Sequence, residues 1–234
     1  MKTVLCLPGT WGDREEFRAA CGRAGLAAAG AFIVDTLSGA HLEVDFQPRD
    51  ERMREAFAAS SGGEVEGAEL EAIGEHRSVV YLLGDGGDLE KLRPMVQIAV
   101  RLLPYGALGI KVESAGVSAP IERWMELSVR FDPFGLIRCF VVAATTEDGA
   151  YSCGMHNLGL PDVEIAGVPP AEASKTLDQF NLYQLVEHPS LKDGQTFARE
   201  QGARAFRLKK LACTRFPEDD PFHNPFGVWH LQST

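Results

Sequence analysis

The sequence has no long hydrophobic run. A membrane-spanning helix needs about 20 consecutive apolar residues, and the most apolar window, residues 25–34, is cut off by Asp35 at about half that length. The first apolar run, Thr3–Leu7, ends at Pro8 and is soon followed by acidic residues, unlike the apolar region of a signal peptide. We therefore expect a cytoplasmic protein that does not cross a membrane.

Paired cysteines and an excess of positive charge are also missing. The five cysteines are odd in number, irregular in spacing and form no CxxC motif, so we expect reduced thiols and no disulfide framework. The chain has 23 Lys and Arg against 33 Asp and Glu, which gives a net charge of −10. This excess of acid disfavours non-specific nucleic-acid binding, because most of the surface would repel phosphates.

Short catalytic and cofactor-binding motifs are absent as well. The chain has no GxSxG nucleophile elbow, no HExxH metal motif and no P-loop. The loop at residues 84–88 precedes a predicted helix, but it lacks GxGxxG spacing and its two carboxylates would repel a phosphate. Cys153 and His156 are three residues apart on a predicted strand, so they point to opposite faces. We therefore predict no cofactor and no metal site, and the sequence favours a function without catalysis.

The residues that are present describe a folded α+β protein. Hydrophobic residues make up 45% and charged residues 24% of the 234 residues, an ordinary globular mixture. Apolar residues alternate with acidic ones from Leu42 to Phe46, which predicts a strand with one solvent-facing side. Apolar residues recur at helical spacing from Phe17 to Ala24. The predicted elements of residues 1–86 follow the order β-α-β-β-α-β, which is typical of ferredoxin-like folds.

The second half repeats this order of elements without repeating the sequence. Within it, Leu136–Thr145 is predicted as a strand, while residues 60–75, rich in glutamate, are predicted as a solvated loop or frayed helix. We predict two ferredoxin-like units with largely antiparallel sheets, at residues 1–86 and 87–215, either as separate domains or as one integrated domain. Residues 216–234, rich in proline and aromatics, are predicted as an extended tail packed on the body, with an exposed docking segment as the alternative.

A short motif in the second half resembles a known family signature. The motif is GLPDVEI, residues 159–165, directly after the predicted strand that ends at His156. With the helix and strand pattern upstream, it resembles the bacterial family called domain of unknown function 4261, over residues 80–215. The resemblance implies no activity, because none is established for that family. From the residues themselves, Pro161 predicts entry into a helical turn, with Asp162 as a turn cap and Glu164 as an exposed carboxylate. A ligand-binding loop is the alternative interpretation.

Residues around this motif form the first candidate binding group. His156, Asp162 and Glu164 are expected to border a groove between the two halves, and a pocket joining them to Tyr151 or Arg138 would support a small-molecule site there.

A basic stripe near the end of the chain forms the second candidate group. Residues 199–215 carry six Lys and Arg and one Glu, and Arg207 and Lys209 share one face of a predicted strand. Residues 43–75, by contrast, are dominated by acid. The basic strand is expected either to pair with neighbouring acids and protect a sheet edge, or to contribute Arg207 and Lys209 to a binding surface.

Two functions from different classes follow from these features. The favoured one is a non-catalytic interaction protein whose acidic surface binds a basic protein partner, as immunity or regulatory proteins do. The alternative is an enzyme or small-molecule binder with a site near His156, Asp162 and Glu164. An open edge strand would also permit a homodimer.

Overall fold

The computed structural model describes residues 1–234 and contains seven α-helices, two short 3-10 helices and thirteen strands in two sheets. The helices are α1 Arg14–Arg23, α2 Met53–Ser60, α3 Gly67–Gly74, α4 Leu89–Leu102, α5 Ile121–Arg130, α6 Pro133–Phe140 and α7 Pro170–Glu187. The 3-10 helices are Leu103–Tyr105 and Met155–Leu158. None of the helices combines the length and the hydropathy that crossing a membrane requires.

The first sheet has seven strands, all paired antiparallel. They are β1 Lys2–Gly9, β2 Leu26–Ala29, β3 Phe32–Asp35, β4 His41–Pro48, β5 Ser78–Asp85, β6 Ile110–Val112 and β7 Val117–Ala119. Their order in the sheet is β2-β3-β4-β5-β1-β6-β7, so β1 lies inside the sheet with β5 and β6 as its neighbours. The edges are β2 and β7.

Helices cover both faces of the first sheet. Alternation along β1 places Leu5 and Leu7 on the side of α1 and α4, in a core that also holds Phe17 and Leu92. Cys6 points to the other side, into a smaller apolar cluster with α2 and α3. Burial on both faces explains why β1 and β5 are nearly continuous hydrophobic runs.

The second sheet has six strands and a helix on one face. The strands are β8 Val142–Thr146, β9 Gly149–Cys153, β10 Asp162–Ala166, β11 Thr196–Ala198, β12 Ala205–Leu211 and β13 Val228–Ser233. Their order is β11-β12-β13-β10-β9-β8, and β10 with β13 is the one parallel pair. Helix α7 packs Leu177 and Phe180 against Phe206 and Leu231. We call the opposite, polar side of this sheet the open face.

The α+β class and the mostly antiparallel sheets are confirmed, but the two ferredoxin-like units are not. A split βαβ arrangement inserts another strand between two strands that a helix connects. Here β4 and β5, which are connected through α2 and α3, are direct antiparallel neighbours. Strand order depends on contacts distant in sequence, which the local pattern of elements does not encode.

The sheets also divide the chain differently from the predicted boundaries. Strands β6 and β7 lie beyond residue 86, yet they complete the first sheet. The end of the predicted tail is β13, which lies between β10 and β12 in the middle of the second sheet. Residues 228–233 of the tail are therefore a strand of the sheet, whereas residues 216–227 have no regular secondary structure and contact the body through Phe222 and Asn224.

Three local expectations are corrected. Residues 133–140 form α6 and only residues 142–146 form a strand, where Leu136–Thr145 was expected to be a strand throughout. Residues 67–74 of the glutamate-rich stretch form the regular helix α3. Residues 162–165 of the GLPDVEI motif belong to strand β10, so Pro161 precedes a strand and not a helical turn.

Candidate functional site

The Asp162 carboxylate is buried at the start of β10. It is 5% exposed, and its Oδ1 accepts hydrogen bonds from the Met155 amide at 3.1 Å and the Ser152 hydroxyl at 3.3 Å. Its Oδ2 accepts from the Asn224 side-chain amide at 2.7 Å. Burial raises the pKa of Asp162 to about 7, although these hydrogen bonds oppose the rise. Asp162 is therefore not a turn cap but a buried group that ties β10 to the 155–158 turn and to the C-terminal segment.

Asn157 joins the same turn to the first sheet. Its Oδ1 accepts from the hydroxyls of Thr3 and Ser114, both at 2.8 Å, and its Nδ2 donates to the Gly154 carbonyl at 3.1 Å. The Asn157 carbonyl accepts from the Gly87 amide at 3.1 Å. These buried hydrogen bonds connect the two sheets, so this segment has a structural role.

His156 lies in this turn and is closed to solvent. It is 0% exposed, and neither ring nitrogen has a hydrogen-bond partner. Burial lowers the pKa of His156 to about 4, so the ring is neutral at pH 7. A residue in this position cannot contact a partner at the surface.

The small cavity beside Asp162 does not accommodate a substrate. It has a volume of about 50 Å³ and is bordered by Tyr151, Glu164 and Arg215 as well as Asp162, whereas His156 does not line it. Ligand sites usually measure about 300–1,000 Å³. The pocket expected to join His156, Asp162 and Glu164 is therefore not present at these residues.

Glu164, Arg207 and Lys209 lie together on the open face of the second sheet. Lys209 pairs with His230 across β12 and β13, and His230 pairs with Glu164 across β13 and β10. Glu164 in turn pairs with Tyr151 on β9. Paired residues point to the same side of a sheet, so these side chains form one polar row.

The basic residues of β12 are not neutralised by neighbouring acids. Glu164 instead bonds Arg215, whose Nη2 lies 2.9 Å from its Oε1 and whose guanidinium stacks over the Tyr151 ring at 3.9 Å. Arg204 pairs with Glu172. Arg207 and Lys209 are exposed and belong to no ion pair. Of the two expectations for the basic stripe, pairing with acids is wrong for these two residues.

The acidic segment, residues 43–75, retains unpaired carboxylates at the surface of the first sheet. Asp45 on β4, Glu55 on α2 and Glu66 before α3 are exposed and form no ion pair. Other acids of the segment are bound locally, as Arg49–Glu51 and Arg54–Glu71 show. An ion pair contributes no net charge, so the net charge of −10 comes from carboxylates outside ion pairs.

A second cavity lies between the two sheets, away from the GLPDVEI motif. It measures about 540 Å³. Its walls come from the edge strands β7 and β8, from the segment that follows α2, and from α5, α6 and α7. Polar groups in the walls include Ser118, Arg123, Arg138 and Asp178. We call it the inter-sheet cavity.

Comparison with known families supports the resemblance of the motif. The family model described as Domain of unknown function (DUF4261) matches residues 151–231. The second sheet carries a DUF4261 match. No curated protein and no solved structure matches the chain.

The DUF4261 match starts later and ends later than the resemblance predicted. It begins within β9 and ends within β13, so it contains α7, most of the second sheet and residues 216–231 of the tail. The first sheet and helices α4 to α6 lie outside it. Four of the buried, hydrogen-bonded polar side chains described above belong to the match, namely Ser152, Asn157, Asp162 and Asn224.

Two residues of these arrangements were not singled out from the sequence. The Asn224 side-chain amide donates hydrogen bonds to the Asp162 carboxylate and the Leu160 carbonyl. No local sequence pattern distinguishes Asn224 from the other polar residues of the tail. The sequence marks Arg215 only as one residue of the basic stripe, because its partner Glu164 lies 51 positions away in the chain. No group of three or more His, Cys, Asp or Glu side chains is arranged to hold a metal ion.

Proposed function

We propose that this protein is a non-catalytic interaction module whose acidic surface binds a basic protein partner, as an immunity or regulatory protein does. The supporting observation is the set of exposed, unpaired carboxylates Asp45, Glu55 and Glu66 in the acidic segment. Such charges attract a basic partner over about one Debye length and orient its approach.

A rigid support for this surface also favours the proposal. Asp45 stands on β4, which pairs with β5 in the interior of the first sheet, and Glu55 stands on α2, whose Met53 and Phe57 are buried in the cluster beneath it. A surface held by a packed core loses little conformational entropy on binding. We further place this module in the cytoplasm, since all five cysteines are free and four are buried.

The proposal is tested by measuring complex formation with the purified products of the neighbouring genes. We expect one basic product to bind in about 0.1 M salt and to dissociate in about 1 M salt, where the Debye length falls from about 10 Å to about 3 Å. The triple charge reversal Asp45→Lys, Glu55→Lys and Glu66→Lys should weaken this complex at low salt by at least about tenfold.

A matched variant separates the local effect from that of net charge. Glu126, Glu147 and Glu187 are also exposed and unpaired, but they lie outside the acidic segment. Reversing these three changes the net charge equally and should leave the affinity nearly unchanged. The proposal is wrong if no neighbouring product binds, if the complex is insensitive to salt, or if both triple variants weaken it alike.

A further inference from the structure

The inter-sheet cavity has the size and the composition of a small-molecule site. Its volume of about 540 Å³ lies within the usual range for ligand pockets. Seven of its fifteen lining residues are hydrophobic, and a few polar groups converge on the same space. This combination provides burial for an apolar body and fixed points for its polar ends.

One pair of charges in the cavity wall is already satisfied. Arg123 donates from both terminal nitrogens to the two carboxylate oxygens of Glu64, at 2.5 and 3.0 Å. Ser60 and Ser118 also bond each other, with their hydroxyl oxygens 2.9 Å apart. These groups shape the wall but offer little free charge to a ligand.

A second pair of opposite charges is exposed to water and has no ion-pair partner in the protein. Arg138 on α6 and Asp178 on α7 both line the cavity, and neither takes part in an ion pair within 4.0 Å. Burial raises the pKa of Asp178, and the positive charge of Arg138 opposes this rise. The two charges therefore interact electrostatically across the cavity. A single ligand with both charges would satisfy both residues at once.

Apolar groups stand beside this pair of charges. Phe134 is 67% exposed, an unusual exposure for a phenylalanine, and it lines the cavity with Ile137 and Leu182. A ligand with an apolar side chain would cover these residues and gain about 25 cal/mol for each Å² of apolar surface removed from water.

We propose that the inter-sheet cavity binds a zwitterionic ligand with apolar side chains, either a free α-amino acid or a short peptide. Arg138 holds the ligand carboxylate through its planar pair of donors. Asp178 accepts hydrogen bonds from the ligand ammonium group. Phe134, Ile137 and Leu182 contact the apolar side chain. The cavity wall includes residues 60–62 and 64 of the acidic segment, but the carboxylates proposed to bind a partner, Asp45, Glu55 and Glu66, do not line it, so either proposal can fail alone.

Calorimetric titration of the full chain tests the site with leucine and leucyl-leucine as probes. We expect at least one of them to bind with a Kd of about 1 mM or tighter, and the tighter one identifies the free amino acid or the peptide as the source. Leucine without its amino group (4-methylpentanoate) and leucine without its carboxylate (isopentylamine) should each bind at least about tenfold more weakly than leucine.

Variants of the cavity wall locate the site. Arg138→Gln and Asp178→Asn should each weaken binding at least about tenfold, whereas Arg130→Gln, which changes an exposed arginine of α5 outside the cavity, should not. Ala143→Trp fills the cavity while keeping both charges, and it should also abolish binding. Since Ala143 is exposed, thermal unfolding should show that this variant remains folded.

The proposal is overturned if neither zwitterion binds, if Arg138→Gln and Asp178→Asn bind as the unmodified protein does, or if Ala143→Trp binds unchanged. It is also overturned if 4-methylpentanoate binds as tightly as leucine, because Asp178 would then contribute nothing.

Discussion

At the scale of single residues, the most informative group is the Asp162 carboxyl. In the unfolded chain its pKa is that of an ordinary aspartate, 3.8, and in the folded chain burial raises it to about 7. The folded state therefore binds more protons than the unfolded state between these two values. The contribution of Asp162 to stability is fully present below about pH 4 and is lost as the pH rises through about 7.

We expect Asp162→Asn to abolish this pH-dependent loss of stability, because asparagine does not ionise. The unfolding free energy of the variant, relative to the unmodified protein, should rise by about 1.4 kcal/mol for each pH unit from about 4 to about 7 and then become constant. Urea unfolding at a series of pH values measures this difference. The exposed Asp219→Asn, which removes a carboxylate from the surface, is the matched control. A flat difference for Asp162→Asn would contradict the description of this carboxyl.

His156 contributes a slope of opposite sign. Burial lowers its pKa from 6.5 to about 4, so the unfolded state binds more protons between these values and stability is lost as the pH falls through them. In the unmodified protein the two residues therefore nearly cancel from about pH 4 to about pH 6.5. The slope due to His156 should become visible in Asp162→Asn.

Gly154, just before the 155–158 turn, has a conformation that side chains rarely adopt. Its φ is +120°, and a Cβ atom there would lie 2.0 Å from the Phe140 carbonyl oxygen. We expect Gly154→Ala to lower the unfolding free energy by more than about 3 kcal/mol. Gly167→Ala is the matched control, because φ is +74° there but nothing lies within 4 Å, and it should cost about 1–2 kcal/mol. Similar losses for both variants would show that the close approach to Phe140 is unimportant.

At the scale of elements, strand β13 joins β12 to β10 in the middle of the second sheet. It pairs with β10 and β12, and its alternate residues Trp229 and Leu231 face α7 in the buried cluster. We expect Leu231→Ala to lower the unfolding free energy by about 2–5 kcal/mol. Gln232→Ala, on the other face of the same strand, should change it by less than about 0.5 kcal/mol. Thermal or urea unfolding distinguishes these outcomes, and equal effects would contradict the observed orientation of β13.

Local patterns in the sequence predict several elements correctly. Helical spacing from Phe17 to Ala24 identified α1, and the alternation from Leu42 to Phe46 identified β4. The same alternation is present where strands were missed, since Val163 and Ile165 of β10 and Trp229 and Leu231 of β13 are buried with polar residues between them. Prolines close to these residues favour turns over strands, although none of them lies inside either strand.

Strand order and the candidate sites could not be predicted in this way. The pairing of β10 with β13 joins residues about 66 positions apart, and Arg138 faces Asp178 only because α6 and α7 meet between the sheets. Of the predicted site residues, Arg207 and Lys209 do share one face, because alternation within a strand is a local property, whereas Glu164 joins that face only through the pairing of β10 with β13 and of β13 with β12. His156 and Asp162 were expected near a groove because they are polar, but polar residues also serve buried networks.

At the scale of the whole molecule, charge is distributed unevenly. The unpaired carboxylates Asp45, Glu55 and Glu66 lie on the first sheet and its helices, whereas the unpaired cations Arg207 and Lys209 lie on the open face of the second sheet. A basic partner, as proposed above, would be attracted more strongly to the acidic segment than to the open face of the second sheet, and this difference would orient the encounter.

The association rate constant of the complex with a basic product of a neighbouring gene, measured against salt concentration, tests the proposed function most directly. For the unmodified protein, the rate constant should fall at least about tenfold between about 0.01 M and about 1 M salt. The triple reversal of Asp45, Glu55 and Glu66 should associate slowly at low salt and lose this dependence, while the matched reversal of Glu126, Glu147 and Glu187 should retain it. A rate constant independent of salt, or equal for the two triple variants, would contradict an acidic docking surface on the first sheet.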